Sequence, residues 1–143
     1  MMMNNQSLID EIQRVSEEVV ELFQKKQRGY THYELNNQQC VLLSLLIINN
    51  SLSPIELADE MKISKSAVSQ LLLKLENEGF VIRKKYKNDK RSVTVELDEK
   101  GKIYKEEMKE FEKEILKKYY DGFTVTELDN MLELIKKSRD ILL

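Results

Sequence analysis

The spacing of apolar residues changes twice along this chain, from a helical period to a strand period and back again. From about Ser7 to Arg28, Leu8, Ile12, Val15, Val19, Leu22 and Phe23 recur every three or four residues and so share one face of a long helix. A stripe that long must bury itself against something. A second helix begins at Asn36, where Gln39 three residues on completes a capping-box pattern. Val41, Leu42, Leu45, Leu46 and Ile48 make this helix apolar nearly all round, which predicts a central position. In SPIELADEM, Ser53 is a good N-cap, Pro54 suits the first helical position and Glu56 completes a second box. That helix is short and ends near Met61. After Lys62-Ile63, Ser64 caps a fourth helix that stops at Gly79. A left-handed Gly79 would fold Phe80 back onto Leu75 in a Schellman motif.

The period then shortens. FVIRKKY and SVTVEL read as strands, because Val93, Val95 and Leu97 alternate with Thr94 and Glu96 as in a half-buried strand. Between them Asn88-Asp89 favours a turn, which makes a hairpin. Helical spacing returns from about Asp98 to Tyr120, with Phe111, Ile115 and Tyr119 on one face. Thr124 and Glu127 open a last capping box ahead of Leu128, Met131, Leu132 and Ile135. Gly29, Gly79, Gly101 and Gly122 each fall where a periodic segment starts or stops. The predicted fold class is mainly α with a small β-hairpin wing, an α+β arrangement. A short helix, a tight turn, a second helix and a two-stranded hairpin, in that order, make a winged helix-turn-helix. The second of the paired helices is the one that enters a major groove. This divides the chain into an N-terminal helix over 1–34, a winged domain over 35–100 and C-terminal helices over 101–143.

Charge sharpens that reading. The 143 residues carry 23 basic and 25 acidic side chains, a net charge of −2, but these are unevenly placed. Between Lys62 and Arg91, nine basic residues face three acidic ones, a net +6, which leaves −8 on the remainder. A basic zone on an acidic body is an electrostatic footprint for a polyanion. Its most concentrated part is KKYKNDKRSV, where Lys84, Lys85, Lys87, Lys90 and Arg91 surround the single acid Asp89. The fourth helix has a matching face. At 100° per residue, Ala67, Val68, Leu71, Leu72 and Leu75 fall together toward the core. Lys65, Ser66, Ser69, Gln70, Leu73, Lys74 and Asn77 fall opposite. Gln can read adenine through two bonds, and Ser can contact bases or phosphates.

Other chemistries find little support. No GxGxxG, Walker loop, HExxH or GxSxG is present, so no catalytic residue is proposed. One His and one Cys cannot by themselves build a typical metal site, and no cofactor is expected. No apolar run approaches the ~18 residues of a membrane span, and the start, MMMNNQSLIDE, lacks the regions of a signal peptide. No membrane association is expected, and the protein is expected in the cytoplasm. Cys40 has no partner for a disulfide within the chain, and its neighbours, CVLLSLLII, predict a buried thiol.

With these elements in place, the chain resembles the MarR family of bacterial transcriptional regulators. The resemblance lies in LNNQQCVLLSLL, in LSPIELADEMKISKSAVSQLLLKLENEGFVIRKK and in NDKRSVTVELDEKGK, roughly Leu35 to Lys105. Its most specific part is Asp89-Lys90-Arg91 followed by a strand and Asp98-Glu99-Lys100-Gly101. The resemblance implies a sequence-specific regulator of double-stranded DNA, a repressor on a pseudo-palindromic operator. It also implies an obligate homodimer whose N- and C-terminal helices interleave, which would bury the first helix's stripe. It places Arg91 in a minor groove, oriented by Asp89 through a charge-assisted bond, with Lys87 and Lys90 on phosphates. The remaining expected DNA contacts are Ser53, Ser64, Lys65, Ser66, Ser69, Gln70, Lys74 and Arg83. Two positions depart from the family: Gln70 stands where Arg is frequent, and Leu73 where Asp is frequent.

Three further readings accompany the resemblance. Relatives often bind an aromatic or amphipathic effector between the dimerisation helices and the winged domain. Tyr30, His32 and Tyr33 in GYTHYEL either line such a pocket, cap the helix junction or cross the dimer interface. Some relatives sense oxidants through cysteine, but a thiol buried among apolar groups is inert, which argues against Cys40. A winged helix that binds protein instead of DNA is the remaining alternative. The basic wing argues against it.

Overall fold

The protein is described by a computed structural model over residues 4–85 and 92–143. The turn of the hairpin, with Lys87, Asp89, Lys90 and Arg91, lies outside the described residues. The chain divides into two compact units, residues 31–108 and residues 1–30 with 109–143.

The first of these is a winged helix. Helix α2 (Asn37–Asn49) is capped at Asn36 by the expected box, with Asn36 and Gln39 each accepting the other's backbone N–H at 2.9 Å. A two-residue strand β1 (Ser51–Leu52) follows, then α3 (Pro54–Met61) and α4 (Lys65–Asn77). Ser53 and Glu56 close the α3 box at 3.1 and 3.2 Å, and the Ser64 Oγ accepts the Ala67 N–H at 3.1 Å. Between α3 and α4 the turn is made by Lys62 in the left-handed region, φ 55°. Strands β2 (Val81–Lys85) and β3 (Val93–Leu97) pair antiparallel, Arg83 opposite Val95 and Lys85 opposite Val93. β1 pairs with the other edge of β3, so the sheet has three strands in the order β1-β3-β2. Two residues are too short to show a period, which is why a two-stranded wing was all the pattern could predict.

The end of α4 is a Schellman motif. Gly79 takes φ 83°, its N–H reaches the Glu76 carbonyl at 3.0 Å, and the Phe80 N–H reaches the Leu75 carbonyl at 2.8 Å. Leu75 and Phe80 are both buried. Leu42, Leu43, Leu46, Leu57, Val68, Leu72, Val81 and Val95 complete the core, each under 2 % exposed. Helix α2 takes the central position expected of it, packed against β1, β3, α3 and α4, though Val41 is 47 % and Ile48 76 % exposed on its outer side.

Helix α5 (Glu99–Phe111) crosses the Schellman turn, with the Lys100 N–H on the Gly79 carbonyl at 3.1 Å and the Asp98 N–H on the Phe80 carbonyl at 2.9 Å. Gly101 stands at the start of α5, in its first turn. A Cβ there would collide with the Phe80 carbonyl oxygen and approach Leu97 Cδ2 to 2.9 Å.

In the other unit, α1 (Asn5–Arg28) starts two residues before the expected Ser7, because Asn4 accepts the Ser7 N–H at 2.8 Å. The helix expected from Asp98 to Tyr120 is continuous, but a π-helical turn (Glu112–Leu116) separates α5 from α6 (Lys117–Asp121). Such a turn accommodates one extra residue and rotates the faces of the helix beyond it. On either side of it, Phe111 meets the Tyr30 ring edge-on at 5.6 Å and Tyr119 meets Phe23 at 4.9 Å. Helix α7 (Val125–Leu142) opens on the predicted Thr124/Glu127 box. Neither α1 nor α7 has a buried residue. Leu8, Ile12, Val15, Val19 and Leu22 stay exposed along α1, as do Leu132 and Ile135 along α7.

Candidate nucleic-acid interface

Helix α4 divides its residues as its sequence requires. Val68, Leu71, Leu72 and Leu75 point into the core, while Ser64, Lys65, Ser66, Ser69, Gln70 and Lys74 are exposed on the other side. The Ser64 cap takes up one N–H of the first turn; other N–H groups of that turn, with Lys65 beside them, form a positive helix start. Leu73 stands on the same outer face and is 58 % exposed. It contributes no packing commensurate with its size, whereas a thymine methyl would give it a partner. Ser53 is half-buried and already engaged in the α3 cap, so its side chain is set by the fold before any ligand arrives.

The sheet sorts the wing's basic residues by strand alternation. Val81 and Arg83 share the inner side of β2, and Ile82 and Lys84 the outer side. Arg83 turns back to α4, its Nε 2.5 Å from Glu76 Oε1. Lys84 reaches across the outer side to Glu96, Nζ to Oε2 3.0 Å. Glu76 entered the sequence reading only as one of three acids in the basic zone, with no partner assigned. Its partner lies seven residues on, across a helix end and a turn, and no local pattern signals such a pair. Lys87, Asp89, Lys90 and Arg91, read as the minor-groove and phosphate contacts, lie outside the described residues.

The three residues read as an effector site have separate partners. Tyr30 donates its hydroxyl to Glu114 at 2.7 Å, and that bond to a carboxylate holds its phenol above the usual tyrosine value. Tyr33 packs edge-on against Phe80 at 4.9 Å. The His32 N–H donates to Glu107 Oε2 at 3.0 Å, and its ring, 91 % exposed, stands 3.8 Å from the other carboxylate oxygen. Cys40 is half-buried, a correction to the enclosed thiol expected from its apolar neighbours. Beside it lies the hydroxyl of Tyr104, a residue only 1 % exposed and without an oxygen or nitrogen partner. Burial pushes this phenol well up, and the nearby Cys40 and Glu107 add to the shift. Among the described residues no three His, Cys, Asp or Glu side chains are grouped to hold a metal ion, and no helix is long and apolar enough to cross a membrane.

Residues 35–93 match the model of the MarR family. Over 103 residues the chain is 29 % identical to the uncharacterised HTH-type transcriptional regulator YwhA of Bacillus subtilis, covering 72 % of this chain and 74 % of that one. It is 39 % identical over 54 residues to the HTH-type transcriptional repressor YetL of the same organism, covering 38 % and 32 %. Among solved structures it superposes on Streptococcus pneumoniae FabT in complex with DNA, with a TM-score of 0.82, 19 % identity and 97 % of each chain covered. A MarR family protein from Bacillus stearothermophilus gives 0.76 at 22 % identity, covering 98 % of this chain and 99 % of that one. These structural likenesses establish the winged-helix fold.

Proposed function

We propose that this chain is a transcriptional regulator of the MarR type, a repressor that binds a pseudo-palindromic operator in double-stranded DNA as a homodimer; the match of residues 35–93 to the family's model supports this. The observation that carries the reading is the outer face of α4. Five hydrogen-bonding side chains, Lys65, Ser66, Ser69, Gln70 and Lys74, are presented on a helix whose opposite face is fixed in the core. In this reading α4 enters the major groove, Gln70 reads a base, Lys65 and Lys74 meet phosphates, and Ser53, Ser64 and Ser66 sit at the backbone. Lys87, Lys90 and Arg91 would follow the wing into the minor groove, with Asp89 orienting Arg91.

Dimerisation is supported by the open apolar stripes of α1 and α7, which a second copy would cover. Two-fold symmetry then sets half-sites about one helical turn apart, ~10–10.5 bp. The relative YetL carries the name repressor, and a regulator of DNA in a bacterium works in the cytoplasm. Release by a small aromatic or amphipathic effector belongs to the same reading. Of Tyr30, His32 and Tyr33, the His32 ring is the one left open to solvent and able to meet such a molecule.

The test is selection of bound duplexes from a random pool at physiological salt, with wild type and Arg91→Ala in parallel, after refolding to strip any ligand. A palindromic motif enriched by the wild type and weakened in the variant is the expected outcome. Full affinity in Arg91→Ala would remove the wing from the interface. No enrichment by the refolded wild type would favour a winged helix that binds protein.

A further inference from the structure

Among the described residues an ion pair joins strand β2 to helix α4, and we propose that Arg83 serves DNA binding through that pair, as a positioning residue and not as a phosphate contact. The inference deepens the regulator reading and rests on it for its DNA arm.

Three observations meet at this pair. First, the inner side of β2 loses its apolar anchor early. Val81 is buried, but the next residue on that side is Arg83, opposite Val95, and the one after is the exposed Lys85. Arg83 is thus the last inner position of β2 that reaches α4. Second, Glu76 lies in the final turn of α4, seven residues beyond Ser69 and therefore nearly in line with it on the helix. The pair grips α4 on the same line of the helix as Ser69, about two turns or ~10 Å further along. Third, the Arg83 Nε donates to Glu76 Oε1 at 2.5 Å, a directed bond from a planar group that holds its orientation better than an ammonium would. The two charges also cancel, so a carboxylate at the edge of the interface does not face a phosphate unpaired. On the outer side of the same strand, Lys84 is likewise joined to Glu96, so two cations of β2 are engaged within the fold.

Positioning and phosphate contact predict opposite signs for one substitution. Glu76→Gln keeps the side chain's shape but removes its charge. If Arg83 contacted phosphate, this change would release the guanidinium and binding would tighten. If the pair sets the wing's approach, binding weakens. Glu76→Gln, Arg83→Ala and the double variant would be titrated with the duplex selected by the wild type and with a random duplex, across a salt series. We expect each single variant to weaken binding to the selected duplex by a similar factor, about fivefold to tenfold, and the double variant to lose no more than either. The salt slope should stay at the wild-type value, because no phosphate contact is removed. A drop of about 0.9 in that slope for Arg83→Ala, with tighter binding by Glu76→Gln, would overturn the proposal.

A second arm needs no DNA. Amide exchange of β2 and β3 in the free protein should quicken to the same extent in both single variants while the α4 amides keep their protection. Unchanged exchange in both strands would overturn the proposal. If the refolded wild type binds no duplex at all, the regulator reading and the DNA role of Arg83 fail together, and the exchange arm then decides only whether the pair holds the strands to α4.

Discussion

At the scale of single residues, Tyr104 shows how a buried group links a fold to pH. Its hydroxyl lies in the core of the winged unit beside the Cys40 sulfur, a weak partner. The charged form of a phenol is the one that burial disfavours, so the folded protein keeps this proton at a pH where the unfolded chain, at the ordinary value of 10.0, has released it. Stability from this residue is therefore intact below about pH 10 and is lost as the pH rises further, toward the raised folded value. Tyr104→Phe should cost less than about 1 kcal/mol at pH 7, since only a weakly paired hydroxyl is removed, and should flatten the decline above about pH 10. Urea midpoints of both proteins at the two pH values measure this; parallel declines would show that Tyr104 does not carry the alkaline loss. Tyr104 was not among the residues singled out from the sequence. It occurs within a charged stretch, KIYKEEM, where the adjacent Ile103 is itself 47 % exposed and the lysines and glutamates mask the inward face.

At the scale of elements, what could be read from the sequence was what is local. The boxes Asn36/Gln39, Ser53/Glu56 and Thr124/Glu127 and the caps at Ser64 and Gly79 each close through bonds spanning five residues or fewer, and each stands where its residue types predicted. The inward face of α4 was legible for the same reason, since a 3.6-residue period is a property of the chain alone. The parts that escaped depend on distant segments: the pairing of β1 with β3, the Glu76–Arg83 pair, and the true role of Gly101. That last residue was placed at a helix start, where it is found, but its need to be glycine was not legible. Its requirement is the passage of α5 over the Phe80 carbonyl, which only the folded chain contains. Gly101→Ala should destabilise the winged unit by about 3 kcal/mol or more, because the added methyl meets backbone that cannot move aside. A chemical denaturation midpoint within error of the wild type would refute this packing. The helix made continuous through the π turn at Glu112–Leu116 belongs to the same group, for the extra residue reveals itself only in which aromatic rings meet.

At the scale of the whole molecule, the sequence already indicated that α1's stripe needed a cover, and the single chain leaves it open. The exposed residues of α1 and α7 are numerous enough that burial against a second copy would dominate stability, at roughly 25 cal/mol for each Å² of apolar surface removed from water. Thermal unfolding should then depend on protein concentration, with the midpoint rising as the protein is concentrated. A midpoint unchanged across a hundredfold range would argue that the stripes are not a dimer interface.

The charge imbalance has a further effect that needs no contact. The segment from Lys62 to Arg91 carries a net +6 and the rest of the chain −8. Under the regulator proposal, a duplex would attract the first and repel the second over about 10 Å at 0.1 M salt. Added salt would then slow the encounter itself, so that the association rate falls before the dissociation rate rises.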